Sequence, residues 1–102
     1  MTTEEMADKI EMEIYNIYRQ KRFISVHQYQ ARPGDREIRV VDKKNKYTTK
    51  LIILPGFRDE NNEKIVSIFQ SEKLGQLVVA ERFARPSRVP MVATKMLMEL
   101  IE

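Results

Sequence analysis

A chain of 102 residues with 42% hydrophobic and 32% charged content can bury one core and holds one domain. It has no cysteine and one histidine, so a disulfide framework, a thiolate metal site and a cysteine nucleophile are excluded. No apolar run is long enough to span a membrane, and the acidic opening Met1-Thr2-Thr3-Glu4-Glu5 is unlike a secretory signal; with a net charge of +3, the expectation is a cytoplasmic domain without metal or small-molecule cofactor.

The first element predicted is a helix. Thr2 and Glu5 have capping-box spacing, and Glu4, Glu5 and Asp8 suit the positive end of the helix dipole. Met6, Ala7, Ile10, Ile14, Ile17 and Tyr18 form its core stripe, Met12 and Tyr15 lie off it, and the helix is expected to end near Lys21. Three strands follow. Residues 23–30 meet Arg32-Pro33-Gly34-Asp35, whose Pro-Gly centre suits a type II turn. Residues 37–41 run into the polar Asp42-Lys43-Lys44-Asn45-Lys46, and residues 47–54 are stopped by Pro55-Gly56. Such short connections predict an antiparallel meander.

Residues 61–74 fit two patterns. A helix capped at Asn61 or Asn62 would place Ile65, Ile68 and Phe69 on one face, with Gly75 as its left-handed terminator. A strand at 65–70 turning through Glu72-Lys73-Leu74-Gly75 fits too; the helix is the expectation. A strand at 76–83 comes next, then a helix from about Ser87 or Arg88, with Ser87 as candidate cap. Its stripe is Val89, Ala93, Met96, Leu97 and Leu100, and Met91 and Met98 extend the apolar surface on a second side. The predicted fold is one α+β domain over 1–102: an N-terminal helix, an antiparallel sheet built on a three-stranded meander, and a C-terminal helix packed on the sheet.

Charge is unevenly distributed. Residues 1–18 carry one base and five acids, residues 19–58 eleven bases and three acids, residues 59–81 two bases and five acids. The central excess of +8 points to an anionic partner. Basic and aromatic residues mix at three places: Arg19, Lys21 and Arg22 beside Phe23; Lys43, Lys44 and Lys46 beside Tyr47; and Arg82, Arg85 and Arg88 beside Phe83. The last group approaches a helix start, where unpaired amides favour an anion. Tyr29, Tyr47, Phe57 or Phe83 could stack a base. The reading is a non-enzymatic nucleic-acid-binding protein, with DNA and RNA both open. The rival is an assembly or regulatory module acting as a homodimer through Met91 and Met98.

Two catalytic readings are weaker. His27 shares a strand face with Ser25 and Tyr29, but no glycines of a nucleophile elbow accompany it, so a structural histidine is expected. Asp42 and Lys44, after the apolar Val40-Val41 and with Asp35 upstream, resemble the Asp/Glu-x-Lys element of the restriction-endonuclease-like superfamily. That resemblance implies a metal-dependent nuclease, with both acids on a divalent ion and a lysine near the phosphate. The acids here are separated by one short strand, where the superfamily usually has a turn between them.

Overall fold

Helix α1 (Thr3–Tyr18) opens with the predicted capping box: the Glu5 amide donates to the Thr2 hydroxyl at 3.1 Å, and the Thr2 amide donates to the Glu5 carboxylate at 3.3 Å. The computed structural model describes residues 2–30, 33–59, 62–71 and 77–101, and between 55 and 78 the backbone alone. Five strands follow α1: β1 (Ile24–Tyr29), β2 (Arg36–Asp42), β3 (Tyr47–Asp59), β4 (Asn62–Ser71) and β5 (Leu77–Ala84). A 3-10 turn at Pro86–Arg88 leads into helix α2 (Val89–Ile101).

The strands lie in sequence order, and every neighbouring pair is antiparallel. The predicted meander β1–β2–β3 is present, with Gly34 at φ 89° in the turn between β1 and β2. Only glycine takes that angle without a steric cost, which is what the Pro33-Gly34 pair signalled.

Alternation along the strands divides the sheet into two faces. Ile38 and Val40 of β2 and Leu51 and Ile53 of β3 are buried with Met6, Ile10 and Ile14 of α1 and Val89, Ala93 and Leu97 of α2. Both helices therefore cover one face and pack on each other, where the Thr94 hydroxyl donates to Glu13 at 2.9 Å. The alternate residues, among them His27, Tyr29, Arg39, Lys50, Val79 and Phe83, lie on the face away from the helices.

The structure corrects four expectations. Residues 62–71 form a strand, not a helix, paired with β3 on one side and β5 on the other. Ile65, Val66 and Ile68 are β-branched and favour extended backbone, and a helix here would leave two long strands without their ladder partner. The proposed terminator Gly75 lies outside the described residues. Pro55-Gly56 does not stop β3, which continues to Asp59 with its register shifted between Leu54 and Asp59; such an irregularity accommodates a proline that cannot donate. In α1 the C-cap is Arg19, and in the final turn Tyr18 takes the core position. Ile17, roughly 100° round the helix from it, is 45% exposed. Finally, Ser87 does not cap α2. It lies inside the 3-10 turn, and Ile101 rather than Leu100 is buried at the helix end.

Candidate nucleic-acid interface

The first two basic clusters, separated by some twenty residues of chain, meet at one end of the sheet. After Tyr18 the chain turns through two backbone bonds, from the Lys21 amide to the Tyr18 carbonyl at 2.9 Å and from the Ile24 amide to the Lys21 carbonyl at 3.0 Å. The next bond is between segments: the Lys43 amide donates to the Phe23 carbonyl at 2.9 Å. It extends the β1–β2 ladder, where Ile24 pairs with Asp42, by one step. Arg19, Lys21 and Arg22 thus stand beside Lys43, Lys44 and Lys46, and all six are exposed.

Buried Asp42 holds the turn that presents the three lysines. Its carboxylate accepts from the Lys44 amide at 3.0 Å, the Asn45 amide at 3.0 Å and the Asn45 side chain at 2.9 Å. Burial pushes the carboxyl up, but the bonds from Asn45, Tyr47 and Lys44 together outweigh it, and the group titrates below its ordinary 3.8. The charged form is the one the fold uses. Lys46 closes the turn at φ 57°, a left-handed angle disfavoured for a residue with a Cβ.

Two cations lie over aromatic rings: Lys44 Nζ is 5.3 Å from the Phe23 centroid and Lys21 Nζ 5.6 Å from the Tyr18 centroid. Among the described residues none of the six cations forms a salt bridge, whereas Arg36 meets Glu4 at 3.6 Å and Arg39 meets Glu37 at 2.6 Å. The end of the sheet therefore carries six positive charges with no carboxylate partner among those residues. The C-terminal end of the α1 dipole supports the cations nearest it.

Tyr47 stands at this end in a structural setting. Its hydroxyl shares one proton between the Ile101 carbonyl, at 2.8 Å, and the Asp42 carboxylate, and its ring is half-buried, which ties β3 to the last turn of α2. Burial, and then the nearby Asp42 carboxylate, push its phenol up from 10.0 to about 12.

The third cluster lies elsewhere. Arg82, Phe83, Arg85 and Arg88 are at the far end of β5, diagonally across the sheet. The run of β3 from Tyr47 to Leu54 alone separates the two ends by roughly 23 Å, at about 3.3 Å per residue. Arg82 donates to the Glu81 carbonyl at 2.8 Å and, with Met91 and Lys95, lines a hollow beside α2; Phe83 is exposed on the opposite face. The expected anion site at the start of α2 is already occupied by the chain: the Arg88 and Val89 amides both donate to the Arg85 carbonyl, at 2.8 and 3.1 Å. Phe57's side chain lies outside those described.

The catalytic arrangements do not assemble. Asp35 and Asp42 flank β2 at its two ends, and the Asp42 carboxylate is taken up by its own turn, so the two acids do not share an ion. No metal-binding cluster of three or more acids or histidines occurs among the described residues. His27 Nε2 lies 3.3 Å from the Ser25 hydroxyl on the exposed strand face. Met91 is 56% exposed on α2, Met98 packs partly against the core, and both line a hollow with Glu13, Thr94 and Lys95. No protein family, curated protein or solved structure matches this chain.

Proposed function

We propose that this protein binds nucleic acid without chemistry, taking hold of the phosphate backbone at the end of the sheet formed by the α1–β1 and β2–β3 connections. One observation carries the reading. Six exposed cations from two distant segments are brought together by a backbone bond and a buried aspartate, with no acid partner among the described residues. Cations without an acid partner are free to meet phosphates and so release the counterions condensed on the polymer, and the turn held by Asp42 fixes the backbone of the three lysines. Phosphate contacts carry no sequence information, so the arrangement supports affinity with limited sequence preference.

A salt series of binding to single- and double-stranded DNA and RNA tests this. Affinity is expected to fall log-linearly with salt, by about 0.7–0.9 in slope for each phosphate contacted. Absence of binding to all four polymers at low salt removes the reading.

A further inference from the structure

We propose that the open face of β1 and β2 is a track for unpaired bases, so that the preferred ligand is a single strand. The inference rests on the nucleic-acid reading above and says what kind of polymer the site takes.

β1 is an edge strand, and its alternate residues Ser25, His27 and Tyr29 lie on the face that neither helix covers. Phe23, just before the strand, carries Lys44 of the basic end over its ring. Planar groups thus begin at the six cations and continue along β1. The His27 and Tyr29 rings have centroids 6.4 Å apart, and His27 is exposed while Tyr29 is 43% exposed. From β2, the Arg39 guanidinium lies 4.2 Å from the Tyr29 centroid, adding a second planar group beside the ring. Glu37, the acid on this face of β2, is neutralised by Arg39 through two hydrogen bonds at 2.6 and 2.8 Å, so it does not repel a phosphate.

Ring spacing selects the ligand. Bases in a duplex step by about 3.4 Å along each strand and their faces are covered by neighbours. Rings 6.4 Å apart on a sheet surface meet successive bases only from a strand that is stretched and unstacked. Duplex nucleic acid reaches the six cations with its phosphates but has no free base to lay on His27 or Tyr29. Stacking is sequence-tolerant, as are phosphate contacts.

The test compares the full-length protein with its His27→Ala, Tyr29→Ala and Tyr29→Phe variants, and with Lys43→Ala combined with Lys44→Ala. The probes are a short oligo-uridine and a hairpin duplex of equal phosphate count, each titrated across a salt series. A thermal melt of each variant establishes that it is folded. The expected result is tighter binding of oligo-uridine than of the hairpin. Tyr29→Ala should weaken oligo-uridine binding about tenfold with an unchanged salt slope, while Tyr29→Phe retains it, because stacking needs the ring and displaces no counterions. Removing the two lysines should flatten the slope for both probes. If the two probes bind equally and Tyr29→Ala and His27→Ala stay within twofold, while the lysine variant still weakens both, the track is wrong and the basic end stands. If neither probe binds, or the lysine variant binds both as well as the parent, the nucleic-acid reading itself fails and the track with it.

Discussion

The Lys43 amide and the Phe23 carbonyl, 2.9 Å apart, join the two most basic stretches of the chain at one edge of the sheet. Charge alone does not show that the two stretches meet. Their meeting follows from the antiparallel register of β1 and β2, in which Ile24 faces Asp42 and the flanking residues must continue side by side. Asp42 then fixes the turn beyond the ladder, so the position of the lysines depends on a buried acid more than on the lysines themselves.

Removing that acid should therefore affect both fold and binding. Asp42→Ala leaves the Lys44 and Asn45 amides without their acceptor and is expected to cost about 1–3 kcal/mol in denaturant unfolding. Because the folded carboxyl titrates below 3.8, the stabilisation it gives is complete above that pH and is lost as pH falls through the lower folded value. Acid titration of stability should show this loss below 3.8 in the parent and a shallower profile in the variant.

Tyr47 gives the opposite pH dependence. Its folded phenol titrates near 12 against an ordinary 10.0, so its contribution is complete below pH 10 and is lost as pH rises toward 12. Tyr47→Phe removes the bond to the Ile101 carbonyl and is expected to cost about 1 kcal/mol at neutral pH. Thermal melts between pH 10 and 12 should then show a smaller further decline in the variant than in the parent.

Lys46 allows charge to be separated from fold. At φ 57° glycine replaces lysine with relief of roughly 1 kcal/mol of steric cost, partly offset by the greater freedom of glycine in the unfolded chain. Lys46→Gly should have a melting temperature equal to or above that of the parent. It should nevertheless bind nucleic acid more weakly, with a salt slope lower by up to about one contact. A variant that is as stable as the parent and binds as tightly would show that Lys46 meets no phosphate.

Much of this architecture is legible in the residues, because local signals and packing agree. Thr2 with Glu5, Pro33 with Gly34, and the alternation Ile38-Arg39-Val40 each specify a structure that the rest of the fold accepts. Residues 62–71 are different. Ile65, Ile68 and Phe69 satisfy helical spacing and strand pairing alike, and the choice is made by β3 and β5, two strands remote in sequence that need a partner between them. Pro55-Gly56 reads as a stop for the same reason: only the neighbouring strand shows that the ladder resumes beyond the irregularity. At the site, the six cations could be found from charge alone, but their grouping could not. Residue counting gives three basic clusters equal standing, whereas strand order places Arg82, Arg85 and Arg88 at the opposite corner. His27 and Tyr29 carried a visible signal in their period-two spacing. Their exposure depended on both helices choosing the other face.

The most direct measurement of where nucleic acid binds is the salt slope for a short oligonucleotide in two double variants. Lys43→Ala with Lys44→Ala removes cations from the shared end, and Arg85→Ala with Arg88→Ala removes an equal charge from the distant corner. The first pair should weaken binding and lower the slope by up to about two contacts, while the second leaves affinity within twofold, since the arginines lie by β5, at the sheet edge opposite β1. A slope that falls in the arginine pair and is unchanged in the lysine pair would contradict the account.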